Sequence, residues 1–543
     1  MFKSLRIRTV FGLICTTILN ANAVGYYVSP TGNDANAGTF VSPKFNISAL
    51  TANLNPGDTI FVLPGTYNYN STIRLTKSGT AEKRICIFGT SYSNAGERPV
   101  LNYKLQGPGD ANRAFFIEAG ANYWHIKGLK IQEAGDNGIK IESNRNIIEF
   151  CDFDACYDSG IQIGLAKDSG ANDGSCAYNY ILNCDSYNNC DSHKSGGNAD
   201  GFACKLFCGP GNIFEGCRAW NNSDDGWDMY SNTFGVLMLN CMTWHNGDKT
   251  TLRGNQYGNG NGFKMGGNST YSRGTNIAVG CVAFDMHYVS GGGKCFDQND
   301  NQDPQVMLNC TAFDNIKGFS MASGSTGHTI KNCIAFKATD KMISDQTQNI
   351  TQNNSWQFGS NTSDKQNGGI GSYADFVVDL SDNNTANQLA AVVRNADGTI
   401  PDNGFCRLKP TSDCIDKGQV VNYSFRDKTY PIMYSGQAPD LGAFEYGGIT
   451  GISQPELYSA GKLEIAEILN SDISRITFCL AHKSTVNMDI FNISGKCVLK
   501  CIANQVYPEG NNFHIAYLGN LPAGCYIIKL RTEFQQQTLK FKR

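Results

Sequence analysis

NIIEFCDF (146–153), NYILNCDSY (179–187), NIFEGCRAW (212–220), VLMLNCMTW (236–244), NIAVGCVAF (276–284), QVMLNCTAF (305–313) and HTIKNCIAF (328–336) are seven versions of one phrase: an apolar strand, a cysteine, then an aromatic residue. Between them runs a second phrase, glycine followed by a large apolar residue and then alternation. It reads NGIKIES from 137, SGIQIGL from 159, DGFACKL from 200, DGWDMYS from 225, NGFKMGG from 261 and KGFSMAS from 317, with KCFDQND from 294 as a variant. Regular self-similarity marks a stacked repeat. The shortest intervals between like positions are 22 to 25 residues, one coil of three short strands, and intervals of 33 to 41 are a coil plus a loop. The pattern predicts an all-β fold, a right-handed parallel β-helix whose equivalent residues stack about 4.8 Å apart. The recurring Cys151, Cys184, Cys217, Cys241, Cys281, Cys310 and Cys333 then form a buried column of small free thiols. Pairing of Cys406 with Cys414 and of Cys497 with Cys501 stays open.

Before the repeats, residues 25–40 are rich in turn formers. Residues 46–67 then give a short helical pattern, a Pro-Gly turn and an alternating strand, a cap for the open end of a parallel stack. After about residue 345 the repetition fades into a polar, loop-rich closing segment ending near 447. A linker over 448–460 leads to alternating strands at 461–543, read as a separate small β-sandwich. At the other end, Lys3, Arg6 and Arg8, the apolar run 10–19 and Ala21-Asn22-Ala23 fit a secretory signal peptide, residues 1–23. The run is too short for a membrane span, which needs about 20 apolar residues. The body expected to carry function is therefore 24–447, in an exported protein without a membrane span.

Losing the three basic residues of the leader takes the formal charge from -3 to -6. Mild acidity argues against a nucleic-acid partner, and an acidic substrate must be met by local charge. That charge is concentrated between 198 and 267. Aligned on glycine, Asp200 and Asp225 share a register on neighbouring coils, Asp224 adjoins, and Asp228 shares a register with Lys264 on the next coil. Only 17% of residues are charged, so four carboxylates gathered on adjacent coils call for a counter-charge. A hard cation that prefers oxygen ligands, such as calcium, is the simplest. Lys264 beside such a cation would lose part of its preference for the charged form and become a usable base. Asp-Gly pairs as ordinary turn residues explain isolated aspartates, but not the aligned lysine. His245, after the CMTW phrase, is read as a surface or loop residue more readily than as a substrate contact.

The stretch NADGFACKLFCGPGNIFEGCRAWNNSDDGWDMYSN followed by NGNGFKMGGN resembles the core of the family-nine polysaccharide lyases, over about residues 25–447. The resemblance implies calcium bound by Asp200, Asp224, Asp225 and Asp228, and Lys264 as Brønsted base in β-elimination. The substrate it implies is a galacturonate-containing pectic polymer, homogalacturonan or rhamnogalacturonan. MDIFNISGKCVLK, NLPAGCYIIKL and the basic end KFKR resemble the C-terminal sorting domain of the type IX secretion pathway, which implies that machinery as a partner and a secreted or cell-surface location. A monomer is expected. Two alternatives are a β-helix glycoside hydrolase, whose usual Gly-His-Gly and Arg-Ile-Lys elements do not occur in this chain, and a non-catalytic adhesin or carbohydrate-binding β-helix, which leaves Lys264 without a role.

Overall fold

The computed structural model describes residues 23–447 and 463–543, apart from 82, 91–97, 166–173, 396–397, 471–472, 481–483, 508–509, 519–520 and 533–535. The expected leader (residues 1–22 of it) and the expected linker lie outside the described residues.

Each coil contributes three short strands, and like strands pair in parallel up the stack. One face is a 12-stranded sheet that includes Ile147–Glu149, Tyr180–Leu182, Ile213–Glu215, Leu237–Leu239 and Ile277–Val279. The cysteine follows each of these, and then comes a second column, Asp152–Asp154, Asp185–Tyr187, Arg218–Trp220, Met242–Trp244 and Val282–Met286. The third column holds the glycine phrase: Ile139–Ile141, Ile161–Ile163, Phe202–Cys204, Trp227–Asp228, Phe263–Lys264 and Lys294–Asp297. The stack starts earlier than the phrases do, with Gly25–Val28, Thr59–Val62 and Ile85–Gly89 already paired in its first sheet. The helical pattern near its end is a single turn, Ser48–Thr51, whose Leu50 joins Ile47 and Leu54 in the main core.

Inside, the column cysteines are buried and free, and each thiol faces backbone carbonyls of its own and the preceding coil, as Cys217 does with Glu215 at 3.4 Å and Ile181 at 3.5 Å. In the third column the aromatic after glycine, or after Cys295 in the variant phrase, points inward, so Phe202, Trp227, Phe263, Phe296 and Phe319 stack with centroids 4.8–5.0 Å apart. Stacked rings contribute about 0.5–1.5 kcal/mol per pair beyond their burial. The glycine is needed for close approach: a Cβ on Gly226 would sit 2.1 Å from Thr243 Oγ1 and 2.8 Å from the Gly262 carbonyl. Strand alternation then turns the following odd position outward. That position is Ala203, Asp228, Lys264 and Asp297 on successive coils.

Beyond the last coils the chain returns along the second column. There the helix Asn383–Ala390 and residues Phe376, Leu380, Phe405 and Leu408 cover the stacked rings of Trp244, Phe284, Phe313 and Phe336. Arg394 of this segment bonds Asp185, at 2.6 Å from Nη2, and Asp185 is also held by Arg218 at 2.7 Å. Residues 463–543 form a three-stranded and a four-stranded antiparallel sheet that share one core, including Phe478, Leu480, Met488, Ile490, Ile528 and Leu530, a small β-sandwich.

Candidate functional site

The outward column of the third face and the residues before each glycine meet at one place. Asp200, Asp225 and Asp228 bring one carboxylate oxygen each within 4.8 Å of the others, and all three are buried. Asp228 and Lys264 are register partners on consecutive coils. Lys264 Nζ stands 3.1 Å from Asp225 Oδ2 and 3.4 Å from Asp228 Oδ1, with the residue only 6% exposed. Asp224 lies on the same segment but outside the three-carboxylate group. Its Oδ2 accepts the Asn198 N–H at 2.8 Å and its Oδ1 the Asn259 N–H at 2.6 Å, so it pins two loops beside the site.

A second ammonium group is present that alignment of the phrases did not select. Lys205 Nζ is 2.7 Å from Asp200 Oδ2 and 3.4 Å from Asp228 Oδ2. It stands four residues past Gly201, beyond the strand proper. The sequence held one usable hint, that four aspartates and a single lysine leave a large charge imbalance.

Burial pushes the Asp200 carboxyl well above the ordinary range, with Lys205 opposing and the neighbouring aspartates adding to the rise. Burial, opposed by Lys264, pushes Asp225 up to about 7. For Lys264 burial favours the neutral amine, but Asp225, Asp228, Asp224 and Asp200 outweigh it and hold the ammonium well above its usual pKa. Asp225 Oδ2 is buried and accepts no hydrogen bond of acceptable angle, although Lys264 is near. A set of carboxylate oxygens with one acceptor free suits a hard divalent cation better than a soft one.

A second group, Asp285, His287 and Asp314, also brings ligand atoms within 4.8 Å. Asp285 is already occupied, however: His245 Nδ1 lies 2.7 Å from its Oδ2, Tyr288 donates at 2.8 Å, and Asn383 and Asn387 of the returning helix donate at 2.9 and 3.0 Å. His245 also reaches Asp248 at 3.2 Å, so it is engaged in fastening a loop and the returning helix to the coils.

Residues 26–326 match the family described as Pel9A-like, right handed beta helix region, and residues 470–542 match the secretion system C-terminal sorting domain. Pectate lyase L of Dickeya dadantii (strain 3937) is 33% identical over 430 residues, 77% of this chain and 90% of that protein. Pectate lyase L of Paenibacillus polymyxa (strain SC2) is 34% identical over 398 residues, 72% of this chain and 83% of that protein. The crystal structure of pectate lyase Pel9A superposes with a TM-score of 0.64 at 32% identity, covering 79% of this chain and 97% of that one. The chain belongs to the Pel9A-like right-handed β-helix family of polysaccharide lyases. It is an enzyme of that class with a sorting domain at its C-terminal end, and it is secreted or held at the cell surface.

Proposed function

We propose that the protein cleaves the galacturonate backbone of pectate by β-elimination, with calcium held by Asp200, Asp225 and Asp228, Asp224 supporting them, and Lys264 as the base. The observation that carries this reading is the placement of Lys264 beside the carboxylates, outward on consecutive coils and almost wholly withdrawn from water. The relatives named above as pectate lyases favour homogalacturonan over rhamnogalacturonan.

Bound calcium would supply positive charge for the substrate carboxylate, which acidifies the adjacent C5 proton, and would relieve the pull of the aspartates on the lysine ammonium. The chain's own part is then to accept the proton. The C5–H bond breaks toward Lys264 Nζ, its electron pair forms the C4–C5 double bond, and the C4–O bond breaks, the departing oxygen taking a proton from solvent as the next sugar leaves. Asp225 and Asp228 orient the amine, and its burial keeps competing water away. Lysine rather than arginine suits this role because its pKa is within reach of the environment.

We also propose that the catalytic unit spans 24–447 and that 461–543 is a separable module read by the secretion machinery, with a leader at 1–23 and a linker at 448–460. The family match at 470–542 supports this division. The deciding experiment is incubation with polygalacturonate and with rhamnogalacturonan, with calcium or with excess chelator. Growth of ultraviolet absorbance from unsaturated ends on polygalacturonate, only with calcium, is expected. New reducing ends without that absorbance would mean hydrolysis and end the proposal.

A further inference from the structure

Lys205 is 5% exposed and bridges carboxylates from two coils, Asp200 on its own and Asp228 on the next. The two oxygens of Asp228 are divided between two lysines, Oδ2 facing Lys205 and Oδ1 facing Lys264. Asp200 Oδ2 takes Lys205 and the Ser159 hydroxyl at 3.1 Å, while its Oδ1 accepts the Asp225 N–H at 3.2 Å. Ala203, the register partner of Asp228, presents only a methyl group, so nothing larger stands in the outward column at that coil. The three grouped aspartates, with Asp224 beside them, outnumber the two lysines.

We propose that Lys205 is a built-in counter-cation that holds Asp200 and Asp228 together in the calcium-free protein and lowers the affinity of the site for calcium, an inference that rests on the calcium reading above. An arriving cation must take oxygens already in contact with this ammonium and then remain near a like charge. A buried lysine at this position therefore makes calcium uptake weaker and reversible, and it spares the empty site the cost of buried, unpaired carboxylates.

The test uses the full chain freed of metal with a chelator. Calcium binding is measured by titration calorimetry and unfolding by circular dichroism, for the wild type, Lys205→Met, Lys205→Gln and Lys205→Arg. Lys205→Met and Lys205→Gln should bind calcium roughly ten-fold tighter or more, since removing one like charge a few ångströms from the ion is worth at least that much. Both should melt lower than wild type without calcium and recover in saturating calcium. Lys205→Arg, which keeps the charge, should stay within about three-fold of wild type in affinity. Calcium binding by Lys205→Met that is unchanged or weaker, or a variant that stays unfolded in saturating calcium, overturns the proposal. A wild type that takes up no calcium overturns the calcium reading itself, and this inference with it.

Discussion

Replacing Lys264 separates the role proposed for it, that of base, from its role as counter-charge to the aspartates. Its ammonium lies 3.1 Å from Asp225 and 3.4 Å from Asp228 in a buried site. Removing one partner of a buried ion pair costs about 3–5 kcal/mol because a charge is left unpaired. Lys264→Ala should therefore destabilise the calcium-free protein by about that amount, and by less when calcium is present to take up the carboxylate charge. Lys264→Arg keeps the charge and should keep most of the stability, but its guanidinium does not deprotonate at working pH. A positioned general base contributes ~10²–10⁴-fold in rate, so both variants should lose at least ~10²-fold in elimination on polygalacturonate while still binding calcium. Initial rates come from the ultraviolet absorbance of unsaturated ends, and stability from urea unfolding in chelator and in calcium. Retention by Lys264→Arg of more than about a tenth of the wild-type rate, against the ~10²-fold loss expected, would refute the reasoning.

Further outcomes follow from the same site. Asp225→Ala should weaken calcium binding at least roughly ten-fold, as expected for loss of one charged oxygen ligand, while the circular dichroism spectrum stays that of the wild type; an unchanged calorimetric affinity would remove Asp225 from the ligand set. With the Asp225 carboxyl pushed up to about 7 by burial, it binds a proton more tightly folded than unfolded. Its burial therefore costs stability progressively as pH rises from the ordinary carboxylate range to about 7 in chelator, and below that pH calcium must displace a proton. Calorimetry at pH values below Asp225's raised pKa should show protons released, as a dependence of binding heat on buffer ionisation, and no such dependence would contradict the assignment. Because the base acts as the free amine, the rate in saturating calcium should rise toward alkaline pH, and a profile that falls there would point to a different base. Ending the chain near residue 455 should leave elimination intact and impair export, while a soluble but inactive product would place part of the sandwich in the substrate site.

Two strand phrases were legible because glycine, cysteine and aromatic residues recur in fixed order, and the shared register of Asp228 and Lys264 follows directly from that order, although the cysteine phrase proves to span two columns, as Ile213–Glu215 and Arg218–Trp220 do on either side of Cys217. Coils before residue 120 were not, because Thr59–Val62 and Ile85–Gly89 fill the same places with common β-branched and aromatic residues and lack the cysteine phrase. Lys205 was missed for a geometric reason. A register argument extends only as far as strand pairing does, and Lys205 lies just past Cys204, where the chain turns away through Leu206 and Phe207 at positive φ. The returning segment left no periodic trace at all. Arg394 finds Asp185 across 209 residues, a contact made by the path of the chain and not by any repeat. His245 likewise takes its partners from Asp285 and Asp248, on the next coil and on a loop.

That returning segment has a mechanical consequence. A coil in a stacked repeat feels only its neighbours, so such a rod can stretch or fray by degrees along its axis. Here Asp185, Arg218 and Asp285 tie one strap to coils on both sides of Lys264, with Arg218 donating to the Ala390 and Val392 carbonyls at 2.8 Å. The coils spanned are those that carry Asp200, Asp225, Asp228 and Lys264. The strap works as a splint, holding the spacing of those coils along the second strand column. Spreading the carboxylates from the amine would therefore require breaking these strap contacts as well as the strand pairing.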